Sequence, residues 1–175
     1  MSYWHNFYTT FDMPNPSSFA LWVGKQLSPR EYVCDVGCGN GRDSDYFLSL
    51  GHKVVSIDEV DTGYRNLTKT DCVEYWYGHN TIYCRWLLHS IDEVKQELFL
   101  NRIAECRCKI FLECRSDNDK ISPVLNNHFR RLINKDNLEK QLKSLGFWIT
   151  YSREQRGWST EGADDPLLIR IAATH

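Results

Sequence analysis

A glycine-rich loop between an apolar run and a helical pattern constrains this sequence more than any other feature. Residues 32–36 predict a buried strand, and the loop that follows has glycines at alternate positions up to residue 41. The apolar spacing of 41–50 predicts a helix, and a second strand over 53–57 ends at Asp58. Strand, loop, helix and strand in such a short stretch predict a right-handed βαβ unit and therefore a parallel sheet.

The loop and the acid suit a ligand with a ribose. Glycines at 37, 39 and 41 let the backbone approach a ligand closely, and the start of the next helix offers unpaired N–H groups that would stabilise a carboxylate or phosphate. Asp58 ends the neighbouring strand, where a carboxylate can accept both hydroxyls of a ribose. The alternative is that the glycines serve only a tight turn.

Beyond this unit the sequence predicts further strands over 81–86, 109–114, 147–154 and 167–173, and helices over 91–102 and 135–145. The last two strands are joined without a helical pattern, so we expect them to pair antiparallel. Between Asp58 and residue 81 there is room for one short helix and one strand, 73–77. The prediction is an α/β, Rossmann-like domain with a mostly parallel sheet of seven or six strands, an antiparallel C-terminal hairpin, and helices on both faces.

The segment before the first strand predicts one more helix, which opens at Pro16-Ser17-Ser18. Its apolar face consists of Phe19, Leu21, Trp22, Val23 and Leu27. An aromatic cluster precedes it, formed by Tyr3, Trp4, Phe7, Tyr8 and Phe11. This cluster either folds over the crevice or packs in the core. We expect one domain, 1–175, with an N-terminal lid and helix segment over 1–28 and a Rossmann-like core over 31–175.

Charge and cysteine usage narrow the class of partner. The formal net charge is −2 and the basic residues are scattered, whereas nucleic-acid binders show a basic stripe. The seven cysteines contain no C-x-x-C pair, which is typical of a reducing cytosol and argues against a metal site. No apolar run reaches 18 residues, and no signal peptide is recognisable. We expect a cytoplasmic monomer or homodimer that acts on a small molecule, without nucleic acid, membrane or metal.

The glycine loop resembles the cofactor motif of class I methyltransferases that depend on S-adenosylmethionine (SAM). The match is a hydrophobic strand, then Asp35-Val36-Gly37-Cys38-Gly39-Asn40-Gly41, then Asp58. The stretch 37–44, GCGNGRDS, is similar to small stand-alone enzymes of bacteria and phages related to the tellurite-resistance and thiopurine methyltransferase groups. The resemblance implies SAM as cofactor, S-adenosylhomocysteine (SAH) as product, and the sheet order 3-2-1-4-5-7-6.

The resemblance also implies roles for single residues. The expected cofactor contacts are Trp4, Asp35, Gly37, Cys38, Gly39, Asn40, Gly41, Asp58 and Arg85. Among them, Asp35 would orient the amino group of the methionine moiety and Asp58 would bind the ribose. The family usually carries an acidic residue at the adenine, in a longer segment between the second and fourth strands. Here Asp71 or Glu74 would have to replace it.

The methyl acceptor is expected at the carboxyl ends of the strands, beside the strand that ends near Trp86. The candidate residues are Arg85, His89, Glu113 and Arg115. His89 is either a general base or a hydrogen-bonded structural residue. Arg115 with His128, Arg130 and Arg131 predicts a cationic rim for an anionic acceptor, or else Glu113 pairs with one of these arginines and fixes the loop.

Together these features predict a SAM-dependent methyltransferase that methylates oxygen or nitrogen of a small metabolite or of a sugar intermediate of glycan synthesis. One alternative is a non-catalytic SAM-binding subunit or scaffold. Another is an NAD-dependent oxidoreductase, whose loop is usually G-x-G-x-x-G rather than G-x-G-x-G. Nucleic-acid bases are disfavoured as acceptors, because residues 85–88 lack the Asn/Asp-Pro-Pro-aromatic tetrad of base methyltransferases.

Overall fold

The computed structural model describes residues 3–10, 15–78, 81–119, 130–160 and 165–175. Its helices are α1 (Tyr3–Thr10), α2 (Ser18–Gly24), α3 (Arg42–Ser49), α4 (Glu93–Ala104) and α5 (Lys135–Ser144), with a 3-10 turn at Leu88–Ser90. Its strands are β1 (Tyr32–Val36), β2 (Lys53–Asp58), β3 (Leu67–Lys69), β4 (Thr81–Arg85), β5 (Lys109–Arg115), β6 (Trp148–Gln155) and β7 (Leu168–Thr174). Phe11 and His128, to which the sequence analysis gave roles, lie outside the described residues.

The seven strands form one sheet in the order β3-β2-β1-β4-β5-β7-β6. The strands β1 to β5 pair in parallel, and β7 pairs antiparallel with both β5 and β6. All residues of β1 except Tyr32 are buried, as expected for a central strand covered on both faces. The predicted fold class and strand order are therefore confirmed.

Helices cover both faces of the sheet, and the alternation of side chains along the strands divides the core into two clusters. On one face, Phe19 of α2 and Phe47 of α3 pack with Tyr83 of β4. On the other face, Phe99 of α4 and Leu142 of α5 join the larger cluster. The carboxyl ends of the parallel strands thus form one edge between two helical layers.

The segment between β2 and β4 differs from the prediction. The alternating apolar residues of 73–77 predict a strand, but this stretch forms turns, and the third strand is instead Leu67–Lys69. The Asp71 carboxylate accepts the N–H of Val73 at 3.0 Å, and such a local bond competes with strand pairing. Within the described part of 59–80, the predicted short helix is also absent.

Two leucines predicted to be apolar-face residues point to solvent. Leu21 is 42% exposed because α2 buries Phe19 and Val23, four residues apart, and residue 21 lies on the opposite side of the helix. Leu50 is 45% exposed because α3 ends at Ser49 and the chain turns at Gly51, whose φ is +84°.

Candidate active site

A cavity of about 540 Å³ lies at the carboxyl ends of the parallel strands, where the strand order reverses between β1 and β4. Small-molecule sites usually occupy about 300–1,000 Å³. The wall receives residues from α1, from the ends of β1 to β4, and from the loop after β6. The predicted cofactor residues on this wall are Trp4, Asp35, Gly37, Cys38, Asn40, Asp58 and Arg85. The fold therefore brings most of the predicted site to one cavity.

The glycine loop is fixed by hydrogen bonds within the protein. The N–H groups of Gly37 and Cys38 both donate to the Ile57 carbonyl, at 2.9 and 3.0 Å. The N–H of Gly41 donates to the Cys38 carbonyl at 3.0 Å, and that of Gly39 to the Asp58 carboxylate at 3.1 Å. These four amides are therefore used within the protein, and this part of the loop contributes shape to the site.

Two tyrosine rings lie directly on the loop. Gly39 and Gly41 have φ values of +55° and +78°, which L side chains rarely adopt. A Cβ on Gly39 would lie 2.5 Å from the Tyr8 ring, and one on Gly41 would lie 2.4 Å from the Tyr64 ring. Both glycines thus lie behind these rings, and neither belongs to the cavity wall. The glycine spacing does not predict these contacts, because Tyr8 precedes the loop in the sequence and Tyr64 follows it.

Asp58 faces the cavity, as predicted. One carboxylate oxygen accepts the N–H of Gly39, and the other accepts the N–H of Val60 at 3.0 Å. Burial raises the pKa of Asp58, although both hydrogen bonds act in the opposite direction. These bonds hold the carboxylate in a fixed orientation on the cavity wall, which is what the binding of a ribose diol requires.

Asp35 is a second buried carboxyl on the wall, with 2% of its surface exposed. Burial, and next the negative charge of Asp43, raise the pKa of Asp35 to about 8, although the hydroxyl of Ser44 donates to it at 2.6 Å. A positive charge placed beside Asp35 would favour its ionised form.

Asp43 completes this side of the wall and was not predicted. It accepts the N–H and the hydroxyl of Ser17, both at 2.7 Å, and the hydroxyl of Tyr83 at 2.6 Å. The bonds join the start of α3 to the N-cap of α2. An acid in the first turn of a helix that follows a glycine loop was the available sequence signal.

The carboxyl groups near the loop make this part of the cavity acidic. Those on the wall are Asp35, Asp43, Asp58 and Glu59. A pyrophosphate at the start of α3 would meet the Asp43 carboxylate, whereas a ligand with a sulfonium and an ammonium group would be stabilised. The wall fits SAM better than it fits NAD.

Lys95 closes the side of the cavity next to β3. Its ammonium group lies 2.5 Å from the Glu59 carboxylate and 2.7 Å from that of Asp71. Burial opposes ionisation of Asp71, but the bond from Lys95 is among those that lower its pKa.

Of the two predicted substitutes at the adenine, Asp71 adjoins the wall through its neighbours Thr70 and Cys72, whereas Glu74 is exposed.

The predicted acceptor residues are only partly brought to the cavity. Arg85 is on the wall, but His89, Glu113 and Arg115 lie behind it. His89 is fully buried, and its Nδ1 accepts the backbone N–H of Arg115 at 3.2 Å. A base must reach the acceptor, so we do not retain His89 in that role and assign it the structural alternative.

Glu113 is a structural partner of arginines. Its two oxygens accept the Nε–H groups of Arg85 and Arg170, at 3.0 and 2.7 Å. Glu113 is therefore paired, but its partners Arg85 and Arg170 are not the rim arginines Arg115, Arg130 and Arg131 that the alternative named. Arg131 turns away from the cavity and donates to Gln96, whereas Arg130 lies on the wall.

Comparison with known proteins gives a family and a fold. The family model described as tellurite resistance protein TehB matches residues 2–106. A search of curated proteins finds no match. Among solved structures, 1,6-didemethyltoxoflavin-N1-methyltransferase of Burkholderia thailandensis, with SAH and 1,6-didemethyltoxoflavin bound, is 17% identical. The match covers 89% of this chain and 76% of that one, with a TM-score of 0.73.

Two other solved structures give the same fold. Magnesium protoporphyrin IX methyltransferase of Synechocystis PCC 6803, with SAM bound, is 18% identical over 90% of this chain and 77% of its own, with a TM-score of 0.68. The glycopeptide N-methyltransferase MtfA in complex with SAH is 15% identical over 95% of this chain and 94% of its own, with a TM-score of 0.69. In the described ranges, no helix is long and apolar enough to span a membrane.

Proposed function

Because the chain belongs to the TehB family and has the fold of SAM-dependent methyltransferases, we propose that it transfers the methyl group of SAM to a small molecule. The observation that carries the proposal is the joint placement of Asp35 and Asp58 on the wall of one cavity, beside the glycine loop. When bound, SAM supplies an activated methyl group, so the protein has to bind, orient and exclude water.

The residues divide this work between them. Asp58 accepts hydrogen bonds from the ribose hydroxyls, and Asp35 accepts hydrogen bonds from the ammonium group of the methionine moiety. Gly37, Cys38 and Asn40 shape the wall between these two acids. SAM is the cofactor and SAH the product.

We further propose that α1, within the segment 1–28, is a lid over the core 31–175. Trp4, Phe7 and Tyr8 lie on the cavity wall, and the His5 imidazole donates to the Asp61 carbonyl at 2.6 Å. Burial, and next the charge of Asp58, raise the pKa of Tyr8, so its hydroxyl stays neutral. A neutral aromatic cover keeps water away from a sulfonium group.

Calorimetric titration with SAM, SAH and NADH tests the cofactor. We expect SAM and SAH to bind and NADH not to bind, and tighter NADH binding would overturn the proposal. Asp58→Ala should weaken SAH binding, whereas the matched control Asp61→Ala should not, because Asp58 is on the cavity wall and Asp61 is not.

Incubation with methyl-labelled SAM and a broad metabolite extract tests catalysis. A labelled small molecule is expected. If SAH binds but no label is transferred, the chain is a SAM-binding subunit instead.

The seven cysteines are free, so we also propose that the protein is cytoplasmic. We expect a monomer or homodimer, which light scattering measures.

A further inference from the structure

The buried Arg170 and the partly buried Arg85 meet at Glu113 on the half of the sheet away from Asp58. Glu113 is 1% exposed and lies on β5, between Arg85 of β4 and Arg170 of β7. The sheet order places these three strands on one side of β1 and β2 on the other. The cluster therefore supports the part of the cavity that the glycine loop and Asp58 do not form.

Each arginine of the cluster supports a tryptophan of the cavity wall. The Arg85 guanidinium lies 4.3 Å from the ring centre of Trp86, and the Arg170 guanidinium lies 4.4 Å from that of Trp158. Trp86 and Trp158 both line the cavity. Cation–π contacts of this kind hold an indole ring in one orientation. One buried carboxylate thus fixes two indoles that come from different loops.

The Nε–H and one Nη–H group of each arginine donate to protein atoms. Besides its bond to Glu113, Arg170 donates to the hydroxyl of Ser18 at 2.7 Å, and Arg85 donates to that of Ser159 at 3.3 Å. The serine hydroxyls and guanidinium groups at this end therefore already have partners. Trp86 and Trp158 give this part of the wall a large aromatic surface, beside which Thr160 and Arg130 also line the cavity.

Trp86 is held in an unfavourable state. Its φ is +62°, which is a strained conformation for a residue with a bulky side chain. Its indole N–H is buried and has no hydrogen-bond partner among the described residues. Strain and an unsatisfied donor both oppose folding, and they persist where the surrounding structure holds a side chain for binding.

We propose that the methyl acceptor is a flat, conjugated ring system that binds against Trp86 and Trp158. Rigid indole rings give a planar ligand a large contact area with little loss of conformational entropy. The hydrogen bonds of Glu113, Ser18 and Ser159 within the protein leave fewer partners for a sugar acceptor at this end of the cavity. The inference deepens the proposed function, on which it rests, and replaces the broader choice of metabolite or sugar with one class of molecule.

Binding of matched probes to the protein saturated with SAH tests the class. The probes are 2-naphthoate, its saturated counterpart decahydro-2-naphthoate with the same charge, and methyl glucoside, titrated by calorimetry and followed by saturation-transfer NMR. We expect 2-naphthoate to bind at least about tenfold more tightly than either other probe. Equal affinities, a preference for the glucoside, or no binding of any probe would overturn the inference.

Tryptophan variants locate the binding. Trp158→Ala and Trp86→Ala should weaken 2-naphthoate binding about tenfold or more, and Trp158→Phe and Trp86→Phe should restore most of it. The control is Trp148→Ala, because Trp148 is 75% exposed on β6 and does not line the cavity. If the alanine variants bind the probe as well as wild type does, the site lies elsewhere and the inference fails.

The same titrations separate this inference from the proposed function. SAH affinity should stay within about twofold of wild type in the four variants at positions 86 and 158. If SAH binds and the flat probe does not, only the acceptor class is wrong. If SAH fails to bind to wild-type protein, the cofactor assignment fails first, whatever the probes show.

Discussion

Two buried carboxyl groups at opposite ends of β1 differ in how the protein treats their charge. Glu31 stands just before the strand and accepts from Lys109 at 2.7 Å, from Thr81 at 2.6 Å and from the N–H of Ser28 at 2.9 Å. Burial alone would raise the pKa of Glu31, but these bonds outweigh it and lower the pKa to about 2. These three partners therefore stabilise the ionised form of Glu31.

Asp35, four residues later, is treated in the opposite way. The hydrogen bond from Ser44 and the charge of Arg85 oppose the effects of burial and of Asp43, which nevertheless raise the pKa of Asp35 to about 8. Glu31 joins the amino ends of three strands, whereas Asp35 faces the cavity at their carboxyl ends. The carboxylate that stabilises the fold is the one with an ion pair and further hydrogen bonds, whereas Asp35, which forms no ion pair among the described residues, is available for a ligand.

The largest expected effect comes from Asp35→Asn. An amide resembles the protonated carboxyl but cannot balance the ammonium group of the cofactor, so SAH affinity should fall about 100-fold. Calorimetry measures the affinity, and thermal unfolding at pH 8 should show a stability equal to or above that of wild type. Asp45→Asn on α3 is the control, because Asp45 is half-exposed and outside the cavity wall. An unchanged SAH affinity in Asp35→Asn would remove Asp35 from the binding site.

The opposite pattern is expected for Glu31→Gln. The amide loses the ion pair with Lys109 and weakens the bonds from Thr81 and Ser28, so the free energy of unfolding at pH 7 should fall by about 2 kcal/mol. Urea unfolding measures this change, and SAH affinity should stay within about twofold. A loss of SAH binding in a folded Glu31→Gln protein would contradict the division between the two ends of the strand.

The fold and part of the site could be predicted from the sequence because both depend on local patterns of residues. Apolar periodicity and glycine positions are local signals, so the βαβ unit, the strand order of the resembling family and the place of Asp58 were accessible. The role of Asp43 depends on Ser17 and Tyr83, and that of Glu113 depends on Arg170, all distant in sequence. Partners of this kind follow from tertiary packing, which also buried His89.

A third prediction sharpens the comparison through pH. The folded pKa of Glu31 lies below its ordinary value of 4.5, so its contribution to stability is present above pH 4.5 and is lost as the pH falls toward 2. The folded pKa of Asp35 lies above its ordinary value of 3.8, so its contribution to stability is present below pH 3.8 and is lost as the pH rises toward 8.

Urea unfolding of wild type and both variants between pH 3 and pH 8 checks these signs. Relative to wild type, Asp35→Asn should gain stability as the pH rises, by at most ~1.4 kcal/mol per pH unit. The difference in free energy of unfolding between wild type and Glu31→Gln should shrink as the pH falls below 4.5. Parallel curves for all three proteins would show that neither carboxyl titrates as the comparison requires.

The smallest expected effect comes from Ser44→Ala, which removes the bond that favours the Asp35 carboxylate. The folded pKa of Asp35 should rise further, so at pH 7 less of the protein carries the charge that the cofactor needs. SAH affinity at pH 7 should fall about two- to fivefold and recover at pH 9, because the binding of a cation beside Asp35 releases a proton. Calorimetry in two buffers with different ionisation enthalpies measures the released proton directly. Ser49→Ala on the same helix is the control, since its hydroxyl donates to the Tyr46 carbonyl instead. A loss of affinity that is equal at pH 7 and pH 9 would mean that Ser44 only shapes the wall and that the proton on Asp35 plays no part in binding.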